Sequence, residues 1–389
     1  MTAKVPYAWS DRQPWLELDF PVAEFETRIA RLQERMRAAG FEALLVWEHA
    51  DRGSNIRYLT GFNMVWGTSI ALVHAEKPSV LLTNAIAHGE PMHSNVQTAW
   101  LPDLRASFEG TPDALMKMTL AVLRDWGVRG RALAVAGSQD IPYRTAKMLT
   151  EEFGEAVLDA GDPLMQRLRA IKSPAEIAVI RHVADLTSDA MAAAIDAARV
   201  GASESDVAAA AHHVCIANGA ERMSFGCFAM AGPRGALKNV FPRPERKIGP
   251  ADLVVVDLGC KYRGYQSDMS RNAVAEPDDR ISTILEATQA ANDAAFAFAR
   301  PGVTTHHVLD VMRGAIAEHG FAAWDFSLCH GFGMDLTETP MFLRAPALVL
   351  EAGMCFYVEP IIADESFGCA CIEDMLLVTE DGCEKLTKT

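Results

Sequence analysis

Val254-Val255-Val256-Asp257-Leu258-Gly259, followed by Gly264-Tyr265-Gln266-Ser267-Asp268-Met269-Ser270-Arg271, decides how the second half of this chain is read. An unbroken apolar run of this length indicates a buried strand, yet it ends on a carboxylate. A turn over Lys261–Gly264 would fold the two segments into a hairpin, bringing Asp268 close to Asp257, eleven positions earlier (268 − 257). Two carboxylates confined in such an interior cannot both stay ionised without a cation, because each raises the pKa of the other. A plainer reading has Asp257 capping a turn and Asp268 pairing with Arg271.

Three further segments weigh against the plainer reading. Cys329-His330-Gly331-Phe332-Gly333-Met334 sets an imidazole beside two glycines, which permit close backbone approach. Phe356-Tyr357-Val358-Glu359-Pro360 ends a strand on a carboxylate, and Ala370-Cys371-Ile372-Glu373-Asp374-Met375 sets another within an apolar strand. Four of these five candidate ligands are acids in settings that otherwise indicate burial, where unpaired charge is costly. Two divalent metal ions would compensate all of them at once. Oxygen-rich ligation with one histidine favours manganese, iron or cobalt, with zinc possible.

The rest of the chain supplies the frame. At 389 residues, half of them hydrophobic, it exceeds what one core usually holds, so two domains are expected. A net charge of −15 and the lack of any basic stripe exclude a phosphate-backbone partner, so no nucleic acid is expected. Residues 1–19 carry no secretory pattern, and no apolar run is long enough for a bilayer, so no membrane partner is expected either. All eight cysteines follow position 214 and read as free thiols in a reducing, cytoplasmic setting. Cys369-Ala-Cys371 lacks the spacing of a zinc knuckle.

Val22, Phe25, Ile29, Leu32 and Met36 recur at helical spacing, with Gly40 as the stop. Short strands at Ala43–Trp47, Ile70–Val73, Val80–Leu82, Ala132–Ala136 and Ala156–Leu158 then alternate with helices at Pro112–Trp126 and Tyr143–Phe153. That pattern indicates an α/β domain over residues 1–162. Gly161-Asp162-Pro163 marks the boundary, and a second domain is expected over residues 163–389. It opens with capping boxes at Ser173 and Ser203. Strands follow at Met223–Ala229, Leu253–Leu258, Tyr265–Val274, Met354–Glu359 and Cys371–Thr379, interrupted by helices near Ile281–Ala299 and His307–His319. Runs of strands broken by helices make this domain α+β with antiparallel pairing.

Taken in order, Asp257, Asp268, His330, Glu359 and Glu373 resemble the ligand set of the pita-bread metallopeptidase family, which includes creatinase, prolidase and aminopeptidase P. Asn55-Ile56-Arg57-Tyr58-Leu59-Thr60-Gly61-Phe62 and Ile171-Lys172-Ser173-Pro174-Ala175-Glu176-Ile177 extend the resemblance over nearly the whole chain. It implies a C-terminal pita-bread catalytic domain preceded by a smaller creatinase-like N-terminal α/β domain. It also implies a small-molecule substrate, a homodimer, and a role for Glu359 in taking a proton from the attacking water. Arg57 and Trp66 become candidate substrate-binding residues, set against an ordinary surface arginine and a core tryptophan.

The sequence departs from that family at two places. Asn239 stands where the peptidases carry a histidine ahead of the first metal strand, and Thr337 stands where a second histidine follows the His-Gly-x-Gly motif. Asn239 and Thr337 can hydrogen-bond an oxyanion but cannot titrate near neutral pH. Asp335 and Glu338 are candidate replacement acids or bases, or else solvated loop charges. His212 and His213 read as a packed or surface pair. The expectation is therefore a dinuclear hydrolase acting on a C–N bond of a small polar metabolite, not a standard Xaa-Pro peptidase. Alternatives are a metal-dependent lyase of the dimethylsulfoniopropionate lyase type, an Xaa-Pro aminopeptidase or dipeptidase, and a non-catalytic binding protein on the same fold.

Overall fold

The computed structural model describes residues 8–84, 96–107, 109–237, 240–322, 329–343 and 346–388. The chain divides into two compact units, Met1–Leu168 and Arg169–Thr389. The expected division after Asp162 falls at the first residue of a helix, Asp162–Ala170, that carries the chain from one unit to the next.

The first unit is built on one mixed sheet. Its strands are β1 (Ala43–His49), β2 (Thr68–His74), β3 (Val80–Thr83), β4 (Asp103–Ala106) and β5 (Leu133–Ala136), in the order β4-β3-β2-β1-β5. β1 runs antiparallel to β2 and parallel to β5. The helix Val22–Ala38 buries Phe25, Ile29, Leu32 and Met36 of the expected stripe, whereas Val22 at its first position is exposed, and Gly40 leaves it at φ 79°. Pro112–Trp126 is capped by the Thr111 hydroxyl, which accepts from the Ala114 amide at 3.2 Å. Leu115, Leu120 and Leu123 then pack on Leu45, Leu72 and Val135.

One expected strand is absent. Residues 156–158 lie in and beside a 3₁₀ turn, Glu155–Val157, entered through Gly154 at φ 85°. Three apolar residues offer a single well-buried side chain there, Val157. The bond to the β5 edge is made instead by Gly161, whose amide donates to the Val135 carbonyl at 2.9 Å.

In the second unit two helix pairs are each followed by antiparallel strands. The first pair, α1 (Pro174–Ala197) and α2 (Glu204–Ala217), packs together and starts on complete capping boxes at Ser173/Glu176 and Ser203/Asp206. Strands β6 (Arg222–Met223), β7 (Phe228–Ala231), β8 (Val254–Leu258), β9 (Cys260–Tyr262), β10 (Tyr265–Gln266) and β11 (Met269–Ala273) follow. The second pair, α3 (Asp279–Phe298) and α4 (Thr305–Glu318), also packs together. After it come β12 (Cys329–Gly331), β13 (Glu338–Met341), β14 (Cys355–Val358), β15 (Ile361–Asp364), β16 (Gly368–Cys371), β17 (Asp374–Val378) and β18 (Cys383–Lys385). The sheets run β10-β9-β6, β11-β8-β7, β13-β12-β14-β17-β18 and β15-β16.

Three runs expected to be continuous strands are each broken in two. Tyr265–Val274 breaks at Ser267-Asp268, where the chain leaves β9's partner β10 for β8's partner β11. Cys371–Thr379 breaks at Ile372-Glu373, between pairing with β15 and pairing with β14. Met223–Ala229 breaks between β6 and β7. Two candidate ligands, Asp268 and Glu373, therefore sit where the backbone changes sheets and its groups are free of one continuous ladder. The reversal itself is tight: Arg263 at φ 47° and Gly264 at φ 84° form the two-residue turn between β9 and β10.

Candidate metal centre

Asp257 is the fourth residue of β8, and Asp268 immediately precedes β11, where Ser270 pairs directly with Asp257. Gly259 lets the two segments close: a Cβ there would lie 1.8 Å from the Ser267 carbonyl oxygen. His330 is the middle residue of β12, opposite Tyr357 of β14, and Glu359 follows the last residue of β14. Glu373 immediately precedes β17. Its amide donates to the Ser270 carbonyl at 3.0 Å, joining the two strand systems, and the Ser270 hydroxyl donates to Glu373 Oε2 at 3.3 Å.

These five side chains converge. Ligand atoms of Asp268, His330 and Glu373 lie within 4.8 Å of one another, as do those of Asp257, Glu359 and Glu373. Glu373 belongs to both groups, so the arrangement has the form of two adjoining cation positions sharing one carboxylate. All five residues are buried, none more than 8 % exposed.

The electrostatics fit divalent cations. Burial pushes the Asp268 carboxyl well above the usual carboxylate range, and the charges of Glu373, Asp257 and Glu359 push it further. Asp268 Oδ1 is buried with no hydrogen-bond partner among the described residues. Carboxylate oxygens and one imidazole are the donor set that hard or borderline divalent ions take. Arg271 does not pair with Asp268, as the plainer reading had it. It reaches Asp374 at 2.6 Å and the Glu373 carbonyl at 2.8 Å, and so holds the start of β17 in place.

The loop after His330 is held from two sides. The two glycines of His330-Gly331-Phe332-Gly333 admit close approach, since a Cβ on Gly331 would meet Pro340 N at 2.4 Å and one on Gly333 would meet Glu338 Oε1 at 2.3 Å. Gln266, two residues before Asp268, donates its amide to Gly333 O at 2.8 Å and its side chain to Met334 O at 2.9 Å. Glu338 is bound by Arg169 and by Lys172, the latter at 2.9 Å, while Asp335 meets Arg169 at 2.8 Å. Neither acid is therefore a bare loop charge. Thr337 is exposed, and Asn239 lies outside the described residues.

Other residues place themselves differently. Arg57 is buried in the first unit, where it pairs with Asp19 at 2.8 Å, and Trp66 of the same unit is 40 % exposed. His212 and His213 lie exposed on α2. Sequence reading passed over Arg169, Gln266, Ser270 and Tyr357. Tyr357 had a signal: it lies two residues before Glu359, hence on the same face of the strand. Burial pushes its phenol well above the ordinary tyrosine range, and Asp268, Glu373 and Glu338 add to the effect. Cys371, also two residues from a candidate ligand, donates to Glu359 Oε1 at 3.8 Å.

The model for metallopeptidase family M24 matches residues 178–380, and that for the creatinase/prolidase N-terminal domain matches residues 28–171. The chain is 33 % identical over 251 residues to an Xaa-Pro dipeptidase of Pyrococcus horikoshii, a match covering 64 % of this chain and 71 % of that protein. It is also 33 % identical over 256 residues to a probable dipeptidase, PepE, of Mycobacterium tuberculosis, covering 65 % and 68 %. Among solved structures, the prolidase from Pyrococcus horikoshii OT3 aligns with a TM-score of 0.79 at 27 % identity, covering 93 % of this chain and 98 % of that one. The two-domain architecture is thus that of creatinase and prolidase, with a C-terminal pita-bread domain.

Proposed function

The chain belongs to metallopeptidase family M24, and from that premise we propose that it is a dinuclear-metal hydrolase of a small amide, with Xaa-Pro dipeptides as the leading substrate class. The observation that carries this reading is the double cluster sharing Glu373, a buried set of acids whose charge calls for two divalent ions. The relatives named above are Xaa-Pro or probable dipeptidases, and they move the substrate reading away from the non-peptide metabolite expected from Asn239 and Thr337. A non-catalytic binding role is set aside, because the full candidate ligand set stands in order.

Asp268, His330 and Glu373 would hold one ion, and Asp257, Glu359 and Glu373 the other. When bound, such a pair supplies Lewis acidity and lowers the pKa of water toward neutrality. Glu359, at the free end of β14, is the carboxylate suited to accept the proton from the attacking water. Ser270 and the Glu373 amide fix the shared carboxylate, and Gln266 fixes the loop that follows His330. Asp335 is paired with Arg169, which suits it to hold the loop, not to move a proton. Manganese, iron or cobalt suits the oxygen-rich donor set better than zinc. A homodimer belongs to the same proposal.

The test is metal analysis of the purified protein together with assays on Xaa-Pro dipeptides, other dipeptides and small non-peptide amides. Two bound divalent ions and hydrolysis of Xaa-Pro dipeptides are expected. Turnover confined to non-peptide amides would overturn the substrate class, and elimination without any hydrolysis would overturn the reaction. Light scattering in solution reads the dimer, and a monomeric mass would remove it.

A further inference from the structure

We propose that Tyr357 is a further catalytic residue, its phenolic O–H donating a hydrogen bond to the substrate's carbonyl oxygen as negative charge develops there. The proposal rests on the hydrolase reading above and adds a residue to it.

The first observation is where the side chain points. Phe356 and Val358 face the core beside α3 and α4, together with Cys329, Leu376 and Val378. By strand alternation Tyr357 faces the other way, and Glu359, two positions on, shares its side. Register sets Tyr357 opposite His330 on β12 and opposite Met375 on β17, with Glu373 two positions before Met375. Tyr357 is thus the central residue of the sheet face that carries His330, Glu359 and Glu373.

The second observation is how firmly the ring is held. Phe332 stacks on it at 4.2 Å between centroids and 19° between planes, and His330 meets it edge-on at 4.9 Å. The hydroxyl lies on the ring axis, so a ring clamped in this way has a fixed donor position.

Third, the hydroxyl is fully buried and has no hydrogen-bond partner among the described residues. A buried tyrosine ordinarily finds one. Tyr265, equally buried in the same unit, donates to Glu176 Oε1 at 2.8 Å. The acids whose charges bear on the Tyr357 phenol are Asp268, Glu373 and Glu338. Glu338 is taken by Arg169 and Lys172, and the other two are candidate ligands whose lone pairs two ions would occupy. The acceptor left for this donor is an oxygen of the substrate. A neutral donor at this place supplies what a histidine would otherwise give an oxyanion.

The experiment is Tyr357→Phe, which keeps the ring and both aromatic contacts and removes one oxygen. Metal-loaded wild type and variant are compared on an Xaa-Pro dipeptide, on binding of a phosphinic analogue of that dipeptide, and on metal content. We expect kcat to fall roughly 100-fold, as when one oxyanion donor is lost. KM should stay within about twofold, because the interaction belongs to the transition state. Analogue affinity should weaken by the same factor as kcat, with metal content unchanged. Equal kcat and equal analogue affinity in the two proteins would overturn the proposal, as would a loss that tracks lost metal. A wild type inactive on every amide sinks the hydrolase reading first; an active wild type matched by the variant sinks this proposal alone.

Discussion

Two buried acids a short distance apart meet opposite fates. At Asp374 burial alone would raise the carboxyl, but Arg271 at 2.6 Å, Lys385 at 2.8 Å and the Thr387 hydroxyl hold it below the usual range. At Asp268 burial acts in the same direction, and the neighbours that matter are acids, so the carboxyl is held high. Glu338 resembles Asp374, enclosed by Arg169 and Lys172. The protein thus compensates buried acids with its own cations where they are structural. Around Asp257, Asp268, Glu359 and Glu373 the compensation is suited to come from outside, and that contrast locates the site.

The contrast can be broken most severely at the cations themselves. Chelating the divalent ions should abolish hydrolysis, with return of activity on adding manganese back; full activity in metal-free protein would remove the distinction. Glu359→Gln should lower kcat by about 10³-fold or more while far-UV circular dichroism stays unchanged, since it removes the proposed proton acceptor. An active Gln variant would reassign that role.

Stability measurements sharpen the comparison. Asp374→Asn and Glu338→Gln each strand buried cations and should cost about 3–5 kcal/mol in urea unfolding. Asp268→Asn should act in the opposite sense, stabilising the metal-free protein at neutral pH, because it removes a buried carboxyl that acidic neighbours hold above its usual range. The pH dependence follows the same signs. A lowered carboxyl such as Asp374 contributes stability that is present above its unfolded pKa and lost as pH falls through its folded value. A raised one such as Asp268 contributes stability at acid pH that is lost as pH rises through its folded value. Metal-free protein should therefore lose less in acid than metal-loaded protein does, as read by thermal melts across pH. The smallest effect belongs to Asp335→Asn, a half-exposed partner of Arg169, which should change stability by less than about 1 kcal/mol.

What could be read ahead of the structure was local or strongly patterned. Helix starts at Ser173 and Ser203 were legible because a capping box closes within four residues. The four acidic candidate ligands were legible because they interrupt apolar runs, and His330 because it stands beside two glycines. Partners distant in sequence were not legible: Arg271 finds Asp374 across 103 positions, and Arg169 finds Glu338 across 169. Nor was the breaking of strands at Ser267-Asp268 and Ile372-Glu373, because the change of pairing partner at each gap is set by strands distant in sequence. β4 escaped notice because, of its four residues, only Leu104 is buried. The apparent strand at residues 156–158 failed for lack of length.

The hydrogen bond between the Glu373 amide and the Ser270 carbonyl carries a kinetic consequence. It closes a loop of about a hundred residues, and contacts of such separation form late and slowly. Until it forms, the acids on either side remain hydrated and repel one another little. Ions that need both halves of the site can bind only after this closure, so they act on the return path. Divalent ions should accordingly slow unfolding and leave the refolding rate nearly unchanged, as stopped-flow traces with and without manganese would read. Refolding accelerated by the metal would mean that the two halves meet early.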